Sequence, residues 1–175
     1  MNDDIFKLSI KGDTENLVKL LNNSSNKDGL INAKSGDIEY TPLIFAVLQE
    51  RIETVRLLLE FGADPNLQDA YGKTALHLLP EKQPIEWTSI NNKIKIAQLL
   101  IQNGADINKL DCEGAPPLFY ATFYIKKEED LKLLEFYLQN GANPNKKSDK
   151  GESSLEFAKR INSQIRIDLL EKYNK

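Results

Sequence analysis

The sequence predicts an all-α solenoid of stacked helix-turn-helix units, and three observations lead to this prediction. Two short motifs recur in fixed phase along the chain of 175 residues. Apolar residues follow helical spacing between successive copies of the motifs. The copies return every 33 to 42 residues, a period typical of helical repeat proteins, in which stacked neighbours together build the core.

The first motif begins with Gly-Ala and ends on Asn, and the second starts eight residues after that Asn and has Leu at its third position. Copies of the first motif occupy 62–66, 104–108 and 141–145. Copies of the second occupy 41–44, 74–77, 116–119 and 153–156. The fixed phase of the two motifs indicates that each unit has the same internal layout.

Each copy of the second motif predicts the start of a first helix, because Thr41 and Thr74 are N-cap residue types and Pro42 suits a first helical turn. A second helix follows, with apolar residues at i, i+3 and i+4. These triplets are Leu17, Leu20, Leu21; Val55, Leu58, Leu59; Ala97, Leu100, Ile101; and Leu134, Tyr137, Leu138. The second helices are expected to end just before Gly62, Gly104 and Gly141, since a left-handed backbone costs least at glycine.

These motifs resemble the ankyrin-repeat family, whose unit of about 33 residues carries a Thr-Pro-Leu-His-x-Ala signature. Pro116 and the pair Ser153 and Ser154 depart from that signature. The resemblance implies short β-hairpin loops along one edge, first helices lining a concave face and second helices forming the convex back. It predicts one domain of five repeats, the outer two acting as caps, at about 1–34, 35–68, 69–110, 111–147 and 148–175.

The third and fourth repeats are longer than the family unit, and the extra residues fall within 80–92 and 125–130. Pro80 is expected to end its helix early. We expect the two insertions to lie side by side as one ridge. Trp87, the only Trp, either anchors an interface or pins this loop onto its own scaffold, and the sequence leaves both interpretations open.

The composition removes several function classes. One Cys and one His exclude a disulfide framework, a Cys-rich zinc site and a multi-histidine metal site, so no cofactor is expected. The net charge of −3 argues against a nucleic-acid partner. Two acids near the N-terminus and the lack of a long apolar stretch favour a cytoplasmic chain with no membrane contact. We expect it to be a monomer when alone.

No catalytic residue is predicted. The resemblance assigns His77, the only imidazole, to hydrogen bonds between neighbouring repeats. Cys112 is expected to be a surface thiol without an enzymatic role. The glycines are explained by turns, and no glycine-rich phosphate loop is present.

Candidate binding residues are those that the repeat fold is expected to leave exposed at hairpin tips and first-helix ends. Tyr40, Tyr71, Phe123 and Tyr124 are predicted to form an aromatic stripe along the concave side, since aromatic residues commonly anchor interfaces. The remaining candidates are Ile38, Leu48, Lys73, Trp87, Leu110 and Glu113. An alternative for the aromatic residues is that they pack against the longer loops.

The function predicted is non-catalytic protein binding, and our hypothesis is an inhibitor, for example a bacterial immunity protein that neutralises a cognate toxin. Residues 1–70 contain twelve Asp and Glu against seven Lys and Arg, which would suit a basic toxin enzyme as partner. The alternative is an adaptor or secreted effector that bridges host proteins. A third hypothesis is an enzyme with an unrecognised site.

Overall fold

The computed structural model describes residues 2–81, 89–125 and 127–174, and its regular structure is helical. One short 3₁₀ helix, Glu128–Asp130, precedes α9. The α-helices in chain order are α1 Asn2–Lys11, α2 Thr14–Asn23, α3 Lys27–Ile31, α4 Pro42–Leu48, α5 Ile52–Glu60, α6 Ala75–Leu78, α7 Ile90–Gln102, α8 Pro117–Phe123, α9 Leu131–Gln139, α10 Ser154–Arg160 and α11 Gln164–Lys172.

The helices form two rows. The first helices, α1, α4, α6, α8 and α10, pack side by side in that order. The second helices, α2, α5, α7, α9 and α11, pack in the same order behind them. This arrangement confirms the predicted all-α solenoid. The boundaries of the five repeats and the single domain remain predictions.

The helix starts and ends follow the local chemistry. The Thr41 hydroxyl accepts a hydrogen bond from the Ile44 N–H at 3.2 Å, and Pro42 occupies the first turn of α4. After α5 the backbone turns at Gly62 with φ +94°, a conformation that L-residues with a Cβ rarely adopt. Pro80 shortens α6 to four residues, as predicted, whereas α4 and α8 have seven each.

The core lies between the two rows and runs through consecutive repeats. Val55, Leu58 and Leu100 are wholly buried, as their helical spacing predicts. Tyr137 is also wholly buried, and its hydroxyl donates a hydrogen bond to the Leu76 carbonyl at 2.8 Å. Because these side chains are covered by helices of the neighbouring repeat, burial depends on stacking.

The hairpin loops are joined by a ladder of backbone hydrogen bonds, which we call the hairpin ladder. The ladder has three rungs, each running from an N–H of one loop to a carbonyl of the loop before it. The rungs are Ala70 to Ile38 at 2.9 Å, Cys112 to Tyr71 at 3.0 Å and Asp149 to Glu113 at 2.8 Å. Within the described residues the loops contain only isolated β-bridges, Ser35 with Tyr40 and Lys147 with Ser153, and no sheet.

A second ladder, formed by Asn side chains, runs behind the hairpins. The Asn66 side chain accepts from the Asp106 N–H at 2.7 Å and donates to the Gly104 carbonyl at 2.8 Å. Asn108 repeats both bonds one repeat later, to the Asn143 N–H and the Gly141 carbonyl. The final Asn of the first two copies of the first motif therefore fixes the start of the same loop in the next repeat.

Candidate protein-binding surface

The predicted binding residues differ in exposure. Tyr71, Phe123 and Ile38 are 62%, 54% and 43% exposed, although each is large and apolar or aromatic. Glu113 is also exposed. Half-buried positions are held by Tyr40, Lys73, Leu110 and Tyr124. Trp87 and most of the insertion at 80–92 lie outside the described residues, so the predicted ridge remains a prediction.

The expected exposure of Leu48 is wrong, because this side chain is buried and belongs to the core. It is the last residue of α4 and lies beside Leu78, the last residue of α6, and Leu79, the residue after it. Since α6 of the following repeat packs against α4, the last turn of α4 is covered rather than open.

The predicted aromatic stripe divides into two parts. Tyr40 packs against Phe45 with ring centroids 5.5 Å apart. Phe123 contacts Tyr124 in an edge-to-face arrangement at 5.2 Å, within a larger group of rings that sequence reasoning missed. The spacing of Tyr120 and Tyr124, at i and i+4 on one helix, is a signal that could have revealed part of that group.

Five rings line a groove between α8 and α10, which we call the aromatic groove. Phe119 and Phe123 of α8 lie 5.5 Å and 5.7 Å from Phe157 of α10. Tyr120 of α8 and Tyr124, the residue that follows α8, extend the groove, and their rings are stacked with centroids 6.5 Å apart. The groove has a volume of about 300 Å³. Phe157 is buried at its floor, whereas Phe123 is open at its wall.

Charged side chains around the groove are joined in pairs. The Lys150 ammonium lies 3.0 Å from the Glu113 carboxylate. The Arg160 guanidinium binds both carboxylate oxygens of Glu152, at 2.6 Å and 3.2 Å. Such exposed pairs contribute little to stability, but they fix the charge pattern at the rim.

A further charged pair lies beside the groove, towards the preceding repeat. The Lys73 ammonium is 3.1 Å from the Glu81 carboxylate and 4.5 Å from the centroid of the Tyr120 ring. Burial, followed by a side-chain hydrogen bond to Asp111, raises the pKa of Tyr120, so this phenol stays protonated at neutral pH. Burial and then the nearby Glu81 also raise the pKa of Tyr124.

Asp69 and Asp111 occupy equivalent positions in successive repeats, but only Asp111 has a complete set of partners. In each, Oδ1 accepts hydrogen bonds from the backbone N–H groups two and four residues further on. The Asp111 Oδ2 also accepts from the Tyr120 hydroxyl at 2.5 Å. Among the residues that the structure describes, the buried Asp69 Oδ2 has no hydrogen-bond partner, because apolar Leu78 stands where Tyr120 stands one repeat later. Burial raises the pKa of Asp69.

His77 is built into the scaffold, as the resemblance implies. Its Nδ1 accepts from the Thr74 N–H at 3.0 Å, and its Nε2 lies 3.1 Å from the Ala115 carbonyl of the next repeat. The ring is therefore neutral, with its proton on Nε2. Burial lowers the pKa of His77 to about 4. A wholly buried ring with both nitrogens bonded has no free group for catalysis.

The remaining chemical candidates add no reactive centre. Cys112 is a free, exposed thiol, as expected. Over the part of the chain that the structure describes, no group of three or more His, Cys, Asp or Glu side chains could hold a metal ion. Across the same residues, no helix has the length and apolar character needed to cross a membrane.

Comparison with protein families identifies the fold. A model of multiple ankyrin repeats matches residues 26–79, and a model of a single ankyrin repeat matches residues 71–112. The chain is therefore an ankyrin-repeat protein. Ankyrin repeats indicate a protein-binding module, and domains of this class are generally non-catalytic.

Curated relatives match the chain only over short segments. Inversin of Gallus gallus is 36% identical over 80 residues, which is 45% of this chain and 7% of inversin. The palmitoyltransferase ZDHHC13 of Mus musculus is 38% identical over 63 residues, 36% of this chain and 10% of that protein. The DNA-binding protein RFXANK of Homo sapiens is 39% identical over 74 residues, 42% and 27% of the two chains. The chain thus spans less than a third of each relative.

The burial of His77 predicts a pH dependence of stability. In the unfolded chain the imidazole takes up a proton as the pH falls below 6.5, but the folded chain resists protonation until about pH 4. The stability that the neutral His77 contributes is therefore fully present above pH 6.5. It is lost as the pH falls from 6.5 to about 4, by roughly 3 kcal/mol at most. Urea unfolding of the wild type and His77→Gln between pH 7 and pH 4 measures it. Equal pH slopes in the two proteins would contradict the assignment.

The unpartnered oxygen of Asp69 predicts an unusual gain in stability. Because burial disfavours the charged carboxylate, Asp69→Asn, which removes the charge while its Oδ1 can keep both backbone hydrogen bonds, should raise the unfolding free energy at pH 7 by about 1 kcal/mol. The gain should vanish as the pH falls and the wild-type carboxyl becomes protonated. Asp111→Asn is the matched control and should lower stability, since it disturbs the bond from Tyr120. Equal losses in both variants, measured by urea unfolding, would show that the Asp69 environment is misinterpreted.

Proposed function

We propose that this chain is a non-catalytic protein-binding module that inhibits a partner protein by covering part of its surface. The observation that carries the proposal is the exposure of Ile38, Tyr71 and Phe123, because the scaffold does not need large apolar side chains at these positions. Aromatic and aliphatic residues of this kind are the usual anchors of interfaces.

The position of these residues supports a shared surface. Ile38 and Tyr71 lie in loops that are joined directly, since the N–H of Ala70, next to Tyr71, donates a hydrogen bond to the Ile38 carbonyl. Phe123 ends α8, in the row of first helices that carries those loops. The exposed residues therefore stand on elements that are fixed to one another, which limits the conformational entropy lost when a partner binds.

We propose no catalytic role, because both ring nitrogens of His77, the only His of the sequence, are engaged in scaffold hydrogen bonds. A module that only binds can inhibit by occlusion. The acidic excess within residues 1–70 favours a basic partner, because complementary charge speeds association and helps to select partners. We therefore extend the proposal to an immunity protein that neutralises a basic toxin enzyme.

The test is affinity capture from the native host, followed by an activity assay of the captured protein with increasing amounts of this chain. We expect its activity to fall as the chain is added. The double variant Ile38→Ser and Tyr71→Ser should reduce capture at least tenfold. Ile165→Ser is the control, because Ile165 is 48% exposed on α11, in the row of second helices.

Three results would contradict parts of the proposal. If the captured protein keeps full activity at saturation, the chain is not an inhibitor. If a second protein is captured through a separate surface of this chain, the adaptor hypothesis is favoured. If Ile165→Ser reduces capture as much as the double variant does, the surface is assigned wrongly.

A further inference from the structure

The aromatic groove consists of a cavity beside a ring that is largely exposed to solvent. Phe157 is only 6% exposed and closes the floor, while Phe123, 5.7 Å away, is 54% exposed. A ring so exposed beside a cavity leaves apolar surface in water that a partner can cover, at about 25 cal/mol per Å². The groove volume of about 300 Å³ is at the lower limit of ligand pockets, which suits one large side chain.

The charges around the groove decide what kind of side chain fits. A cation is disfavoured, although aromatic rings attract cations, because the chain already supplies its own. Arg160 lies 5.1 Å from the Phe157 centroid, and Lys73 lies 4.5 Å from the Tyr120 centroid. A cation of a partner would therefore meet ring faces that already hold like charges of this chain.

An anion is disfavoured for a different reason. Among the described residues, the three cations that line or adjoin the groove are each held by a carboxylate of this chain. The pairs are Arg160 with Glu152, Lys150 with Glu113 and Lys73 with Glu81. Because each of these cations is already neutralised by its carboxylate, another carboxylate or a phosphate entering the groove would lose hydration without a matching gain.

We propose that the aromatic groove receives one uncharged apolar side chain of the protein partner, such as Leu, Met, Phe or Trp. This inference rests on the proposed function and specifies the chemistry of one subsite. The paired rim charges form a polar ring around the apolar centre, an arrangement that excludes water around interface anchors. The partner residues flanking the anchor face both signs of charge, so polar or mixed residues suit those positions.

The test uses a library of random twelve-residue peptides displayed on phage and selected on the full chain. Fluorescently labelled peptides from the selection are then measured by anisotropy. We expect the peptides to share one large apolar residue, and replacing it by Arg or by Glu should weaken binding at least tenfold in both cases. Phe123→Ser in this chain should weaken the parent peptide at least tenfold, with an unchanged melting temperature.

Ile165→Ser is the control, because Ile165 is an exposed apolar residue on α11, outside the groove, and the change should alter the affinity less than twofold. The inference is overturned if the shared residue is charged, if binding does not depend on Phe123, or if no peptide is selected. After such a result, the proposed function still holds if capture of the natural partner depends on Ile38 and Tyr71. Loss of both dependences would reject the two proposals together.

Discussion

A helix pair of this chain has an apolar face that only the next pair can cover, and this constraint governs the structure. Leu58 and Leu100 are wholly buried because their second helices, α5 and α7, pack against each other. The hairpin ladder and the ladder of Asn side chains set the register of that packing, since each bond recurs at the corresponding positions of the next two repeats. Removing any repeat would therefore expose the apolar faces of its neighbours.

The same constraint shapes the binding surface. Side chains that do not take part in stacking are free to differ from one repeat to the next, and the differences lie on the row of first helices. Tyr120 completes the hydrogen bonds of Asp111, whereas Leu78 leaves those of Asp69 incomplete. Phe123 and Phe157 stand together only because α8 and α10 are neighbours in the stack. The surface is thus a product of stacking combined with local departures from the repeat pattern.

Local chemistry explains what the sequence could predict. The Thr41 cap, the turn at Gly62 and the shortening of α6 by Pro80 each depend on residues within one turn of the chain. Contacts between repeats were harder to foresee. Leu48 was expected at the surface, but the following repeat covers it. The aromatic groove needs Phe157, which is far from Phe123 in sequence and belongs to a repeat with a weak signature.

The measurement that tests the account most directly is native-state amide hydrogen exchange along the hairpin ladder. The account predicts that the N–H groups of Ala70, Cys112 and Asp149 exchange with opening free energies close to that of Leu100 in α7, because ladder and core open together. Exchange of the three loop amides at the rate of unprotected residues, while Leu100 stays protected, would show that the hairpins are not fixed by stacking. The surface proposed for binding would then lack the rigid support that the account requires.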